Sequence, residues 1–319
     1  MKPSHSLLTF TDKLIDYAGL FPPASLDLAT SLNNYLAYRS SHYCKILSRF
    51  VCPVQLLAKA EEILKNIPNP GKITVTALIK GGKNLQDFQK NLDGNIKSPL
   101  PDSGGINKVD MFELKLSDDV LKEYDEKKFT SVLNTVTEVF RNNYGNKYFV
   151  FVEGNTEDDH ERKVTMLADS ISGINHAGFN LGYKLRTGGT KAEDFPSAEI
   201  IAHSIRVCLD RKVPMKFTAG MHHPFIHYDD KIKTKMHGFI NVFGAGIISM
   251  RHNLTNKGIE ELINDEDPGS FLFTDEYFSW KDWKIDVKDI AYARQNLVTS
   301  FGSCSFEEPV EDLKSFELL

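Results

Sequence analysis

Short apolar, β-branched runs alternate along this chain with longer stretches in which apolar residues recur every three or four positions. Residues 43–52 (YCKILSRFVC) read as a strand. Pro53 then opens a helix with Leu56, Leu57, Ala60, Ile63, Leu64 and Ile67 on one face, and Pro68, Pro70 and Gly71 stop it. Residues 72–79 (KITVTALI) read as the next strand, and the Gly, Pro, Asn and Ser of 93–106 as a loop. A strand over 108–116 is followed by a helix that starts at Ser117 and carries Phe129, Val132, Leu133, Val136, Val139 and Phe140. A strand over 147–153 leads to a helix capped by Thr156, with Val164, Leu167, Ala168, Ile171 and Ile174 as its stripe. Strands over 181–187 and 213–218 flank a helix running from about Pro196 to Asp210. The apolar, glycine-containing segment 236–250 predicts a buried helix. The less regular remainder holds a strand at 271–274, a helix near 286–297 and a last strand near 298–304.

This alternation predicts an α/β fold of parallel strands joined by helical crossovers. About eight such units make a (β/α)₈ TIM-type barrel, here a single domain over 1–319 with extra C-terminal segments. A doubly wound open sheet is the alternative architecture. No G-x-G-x-x-G or G-x-x-x-x-G-K-[ST] follows a strand, which argues against nucleotide binding.

Composition narrows the partners. The formal net charge of −5 gives no general attraction to nucleic acid or to an anionic membrane. No apolar run approaches the roughly 20 residues of a membrane span. Cys44, Cys52, Cys208 and Cys304 form no C-x-x-C pair, so reduced thiols and a cytoplasmic location are expected. Any anion binding must come from a local cluster, and a homo-oligomer is compatible with the amphipathic helices.

Such a cluster is legible at the strand ends. Arg49, Glu113 with Lys115, Glu153, Lys184 with Arg186, and Lys216 with Thr218 all fall toward the C-terminal ends of predicted strands. In a barrel that is the active-site face. Side chains alternate along a strand, so each of these pairs shares one face. A lysine in an apolar strand is costly unless paired or deprotonated. One such lysine suggests a structural ion pair, whereas several that converge suggest a ligand pocket. Beyond the strands, TGG after Arg186 and AG after Thr218 place Gly188 and Gly220 where backbone amides can cradle phosphate or carboxylate. His222, His223 and His237 are candidates for substrate contact or acid–base work. Joined to Glu113 or Glu153 they could instead hold a divalent metal ion. Cys304 has no base near it in the sequence, so a buried structural thiol is expected there.

The order VDMFELKL, YFVFVEG, YKLRTGG, MKFTAG resembles that of the class I aldolases of the deoxyribose-phosphate type, over about residues 108–220. Lys184-Leu185-Arg186-Thr187-Gly188 matches the family's Lys-x-x-Thr-Gly, and Lys216-Phe217-Thr218-Ala219-Gly220 matches its second lysine motif more loosely. The chain otherwise resembles bacterial proteins with no assigned activity. The resemblance implies a barrel with Lys184 at the Schiff-base position and Lys216 as the cation that tunes it. Asp110 matches the family's acidic strand residue in the text, but Glu113 shares a face with Lys115 nearer the strand end and is preferred. Arg186 stands where the family has a small residue, and the second motif lacks the family's full glycine pair.

The expected function is therefore an aldolase-type lyase acting on a small phosphorylated or carboxylated carbonyl compound. Arg186 and Lys216 would depress the pKa of Lys184, and Glu113 or Glu153 would move the proton. Arg49, Lys115 and the glycine turns would bind the substrate's charge. No cofactor is expected in this reading. The alternatives are a barrel lyase or isomerase dependent on one divalent metal ion, and a non-catalytic barrel that binds an anionic metabolite.

Overall fold

The computed structural model describes residues 2–96, 107–123, 125–145, 148–154 and 159–319. In chain order the strands are β1 (Ile15–Tyr17), β2 (Leu47–Pro53), β3 (Ile73–Ile79), β4 (Asn107–Lys115), β5 (Phe149–Glu153), β6 (Leu181–Arg186), β7 (Met215–Thr218), β8 (His227–Asp229), β9 (Thr234–Met236), β10 (Phe271–Phe273), β11 (Tyr277–Trp280), β12 (Trp283–Asp286) and β13 (Val298–Ser303). The helices are α1 (His5–Thr11), α2 (Leu28–Arg39), α3 (Leu57–Lys65), α4 (Leu85–Ile96), α5 (Asp118–Glu123), α6 (Glu126–Tyr144), α7 (His160–His176), α8 (Ala198–Asp210), α9 (Phe239–His252), α10 (Asn256–Ile263), α11 (Val287–Asn296) and α12 (Glu307–Ser315).

Eight parallel strands close into a barrel in the order β1-β13-β7-β6-β5-β4-β3-β2. Strict alternation produces its two surfaces. In β6, Tyr183 and Leu185 join the apolar layer beneath the helices, and in β7 Met215 and Phe217 do the same. Lys184, Lys216 and their in-phase neighbours therefore point into the barrel. The helices seal the outer layer with regular stripes. Val164, Leu167, Ala168, Ile171 and Ile174 of α7 are all buried. The Ser197 hydroxyl caps α8 by accepting from the Ile200 N–H, and the Asp125 carboxylate caps α6 at Lys128. The segment with several glycines is a helix, α9, buried along most of its length. A Cβ at Gly246 would come within 2.6 Å of Val298, so glycine is what lets this helix lie against the last barrel strand.

Several boundaries differ from the sequence reading. β2 starts at Leu47 and includes Pro53, and a short 3₁₀ turn over Val54–Leu56 precedes α3. The helix expected from Ser117 is two helices, α5 and α6, with the second given its own start by Asp125. α4, a helix the sequence reading did not give, runs from Leu85 to Ile96, into the expected loop; residues 97–106 and the expected cap Thr156 lie outside the described residues. β1, only three residues long, has no counterpart in the sequence reading. Of the antiparallel sheet β10-β11-β12, only the first strand was foreseen.

The additions sit at opposite ends. α1 packs on the antiparallel sheet, with Phe10 edge-on to Phe273 and Phe278 at 5.4 and 5.2 Å. This closes the barrel where β1 and β13 begin. There the buried Arg294 guanidinium donates to the carbonyls of Phe10 (2.8 Å), Asp12 (3.1 Å), Val298 (2.5 Å) and Thr299. The connection from β7 to α9, with the β8-β9 hairpin, lies at the other end, as does α12. No helix among the described residues is long and apolar enough to cross a membrane.

Candidate active site

The barrel interior holds a line of alternating charges. Asp16 of β1 contacts Lys216 of β7, whose ammonium is also 2.6 Å from Oε1 of Glu113 on β4. Oε2 of Glu113 lies 2.6 Å from the Lys184 ammonium on β6. Lys184 is in turn 2.9 Å from Oε2 of Glu153 on β5, and Oε1 of Glu153 is 3.5 Å from Nε of Arg186. Side-chain exposure rises along this line: 0% at Asp16 and Lys216, 3% at Glu113, 4% at Lys184, 12% at Glu153 and 50% at Arg186. The line therefore runs from the sealed interior to the mouth.

The register explains the convergence. Lys184 is beside Lys216 across the β6-β7 pair, and Glu153 is beside Lys184 across β5-β6. Two lysines side by side would repel, and Glu113 reaches both from across the barrel. Its Oε1 contact with Lys216 is an ion pair without a well-aligned hydrogen bond. Asp16 is held further by the Ser300 hydroxyl at 2.9 Å and by the backbone N–H of Arg49 at 2.9 Å.

Protonation follows from these contacts. Burial would push the Asp16, Glu113 and Glu153 carboxyls up, but the adjacent cations win. All three are lowered, Glu113 to about 2 by Lys184 and Lys216. Burial would likewise lower Lys184, yet Glu113 and Glu153 hold it above its ordinary value. This reverses the expectation that Arg186 and Lys216 depress it. The neighbours that touch the Lys184 ammonium are carboxylates, and Arg186 reaches Glu153 instead of the lysine.

Other candidates lie apart from this line. Arg49 is the third residue of β2, not at its C-terminal end, and its guanidinium pairs with Asp110 at 2.7 Å. Of the two acidic residues weighed on β4, Glu113 meets the lysines and Asp110 meets Arg49. Lys115 is half exposed, 3.4 Å from Asp118. Gly188 and Gly220 pack on each other: a Cβ on Gly220 would lie 2.7 Å from the Gly188 Cα and 2.9 Å from Phe195. Gly220, at φ +77°, is held to glycine by conformation as well as by space.

His237 is buried with Nε2 2.7 Å from the Pro196 carbonyl, and burial lowers its pKa. His222 Nδ1 is 2.9 Å from Glu308, and His223 Nδ1 contacts Asp312. The three histidines are thus engaged away from Glu113 and Glu153, contrary to the joint metal site considered from sequence. Among the described residues no group of three or more His, Cys, Asp or Glu is arranged to hold a metal ion.

Sequence reasoning missed Asp16 and Ser300. Asp16 had a signal, a lone acid inside the apolar run Leu14-Ile15-Asp16-Tyr17, the same pattern that exposed the lysines. Ser300 had none, since a serine in a strand is unremarkable until an acid is beside it.

No family model matches the chain, and no curated protein matches it. Among solved structures it is similar to a deoxyribose phosphate aldolase from Aeropyrum pernix, described as having a unique tetrameric structure. That likeness covers 98% of this chain and 93% of the other, at 12% identity and a TM-score of 0.48. A likeness of that degree carries no argument about chemistry.

Proposed function

We propose that this barrel is an aldolase-type lyase in which Lys184 forms a Schiff base with a small phosphorylated or carboxylated carbonyl compound. The observation that carries the reading is the setting of Lys184. It is a nearly buried ammonium between two carboxylates at 2.6 and 2.9 Å, two residues inward from Arg186 at the mouth.

The raised pKa of Lys184 changes how such a reaction must run. The amine has to lose a proton before it attacks, and Glu113 and Glu153 are in contact to take it. The neutral amine adds to the carbonyl carbon, and the carbonyl oxygen leaves as water with two of the original ammonium protons, so the protonated imine that results carries the same positive charge as the ammonium it replaces. The carboxylates that hold the ammonium therefore stabilise the iminium equally well, and the unfavourable stage is the transient neutral amine. The iminium then draws electrons as the adjacent carbon–carbon bond breaks or forms. Lys216, locked between Asp16 and Glu113, keeps Glu113 ionised as a proton acceptor. Arg186, half exposed at the rim, would meet the substrate's anionic group together with Lys115, which is also half exposed.

The test is borohydride reduction in the presence of a panel of aldehydes, keto acids and sugar phosphates, followed by peptide mapping. Covalent substrate on Lys184 and loss of turnover in Lys184→Ala are expected. No adduct across the panel, together with unchanged turnover in the variant, would refute the assignment. The complete pairing of the cluster also fits a barrel that only binds an anionic metabolite. In that case a sugar phosphate or keto acid raises the melting temperature without being consumed.

A further inference from the structure

Apart from the lysine line, the end of the last barrel strand carries a second group of reactive side chains. Cys304 follows β13 directly and is partly exposed. Its Sγ is 3.9 Å from Nε2 of His222, which arrives from a loop 82 residues away in sequence. Nδ1 of the same imidazole is 2.9 Å from Oε2 of Glu308, in the first turn of α12. The loop is pinned in place. Ala219 and Gly220 both have left-handed backbone (φ 64° and 77°), the Ala219 N–H donates to Gly302, and the Thr187 hydroxyl donates to the Ala219 carbonyl at 2.7 Å. The Ser305 hydroxyl accepts from the Glu308 N–H at 3.2 Å and fixes the helix start.

We propose that Cys304, His222 and Glu308 form a nucleophilic thiol site that exchanges with small disulfides. This claim does not depend on imine chemistry at Lys184, and no hydrogen bond or ion pair among the described residues joins the two groups.

Each residue has a role that its geometry supports. Burial would lower the His222 pKa, but contact with Cys304 and Glu308 outweighs it and raises the group to about 9. At neutral pH the imidazole therefore carries a proton on both nitrogens. Nδ1–H donates to Glu308, and Nε2–H points at a sulfur that can only accept. The Cys304 sulfur, 3.9 Å from Nε2, is the acceptor of that proton, and the thiolate is the form that reacts in exchange. The other ionisable groups facing the site are Tyr17 of β1, raised chiefly by burial, Glu307 on α12, and His223 beside His222.

The choice of disulfide over acyl substrates follows from what exchange requires. Acyl transfer needs donors aimed at a developing oxyanion, whereas exchange needs a thiolate, access and a proton source. The Cys304 thiolate attacks one sulfur of R–S–S–R. The new bond is Cys304 S–S–R, the old S–S bond breaks, and the departing R–S⁻ takes the Nε2 proton of His222 as R–SH. The Cys304 proton thus leaves on the released thiol, and one disulfide replaces another.

The probe is bis(2-hydroxyethyl) disulfide, with adducts on each cysteine timed by peptide mass spectrometry at pH 7. Cys44 is exposed and serves as an internal reference, while Cys52 and Cys208 are buried. Cys304 is expected to react about tenfold faster than Cys44, with a rate that stays level from pH 6 to 8 as an ion-paired thiolate requires. His222→Asn should bring Cys304 to the Cys44 rate and restore a rising pH profile, and Glu308→Gln should fall between. Cys52 and Cys208, buried in the native fold, stay unreactive in each variant if the fold persists. If Cys304 reacts no faster than Cys44, or if His222→Asn leaves rate and profile unaltered, the proposal fails.

Discussion

Replacing Lys216 by methionine tests the electrostatics of the barrel interior most directly. Methionine keeps much of the side chain's length and removes only the charge. Asp16 and Lys216 are both fully buried, and without the ammonium Asp16 retains only two neutral donors, the Ser300 hydroxyl and the Arg49 N–H, each at 2.9 Å. Glu113 keeps Lys184 at 2.6 Å and is less affected. Breaking one partner of a buried ion pair costs about 3–5 kcal/mol. For a chain of this size that corresponds to a fall in Tm of roughly 5–10 °C at pH 7.

The pH dependence separates this cause from simple loss of packing. In the native protein Asp16 and Glu113 have folded pKa values below their unfolded ones. Their contribution is present above the unfolded values of 3.8 and 4.5 and is lost as pH falls toward 2. In Lys216→Met the largest opposing charge at Asp16 is gone and only the Arg49 cation and two neutral hydrogen bonds still offset its burial, so its folded pKa is expected to rise above 3.8 and protonation to relieve the variant as pH falls. The relief approaches about 1.4 kcal/mol per pH unit below that raised pKa. The Tm difference between the two proteins should therefore be greatest at pH 7 and less than half as large at pH 4. Asp16→Asn combined with Lys216→Met should recover at least half of the loss at pH 7, because the two sites are coupled. Melting curves by circular dichroism at pH 7, 5.5 and 4 report this. A Tm difference that does not change with pH, or an Asp16→Asn effect that simply adds to the first, would refute the reasoning.

The remaining predictions concern other parts of the molecule. Because Lys184 is held above its ordinary pKa, borohydride trapping at Lys184 should accelerate about tenfold per pH unit from pH 7 to 9, and Glu153→Gln should speed it at pH 8; a plateau below pH 9 in the native protein would contradict this. Arg294→Met should cost about 3–5 kcal/mol in urea unfolding, since it strips donors from four backbone carbonyls, those of Phe10 and Val298 in buried contacts, and Arg294→Lys should recover only part, having no fork to reach them. A loss under 1 kcal/mol would show that water replaces the guanidinium. Gly220→Ala should lower Tm markedly more than Gly145→Ala, because both positions have positive φ but only Gly220 lacks room for a Cβ. Equal losses would mean that backbone strain alone matters at Gly220.

Local rules carried the sequence reading where the structure follows local rules. Period-2 alternation placed Lys184 and Arg186 on one face of β6, and Lys216 and Thr218 on one face of β7, without knowledge of any partner. Helical spacing identified the stripe on α7, and the succession of strands and helices announced the barrel. The same reasoning preferred Glu113 to Asp110 because it stands nearer the strand end; in the barrel Glu113 contacts both lysines and Asp110 contacts Arg49. Three-residue β1 was too short to show a period, so Asp16 was missed, and with it the innermost carboxylate.

What the sequence determined by itself, then, is which side chains a strand presents to the barrel and how many charges it sends there. Only closure of the barrel decided who meets whom. Asp16 and Lys216 are 200 residues apart, and Cys304 and His222 are 82 apart. Protonation was decided at that same level, because a pKa responds to the charges within a few ångströms, and for Lys184 those are carboxylates. Proximity along the chain made Arg186 look like its neighbour; proximity in space gave that place to Glu113 and Glu153.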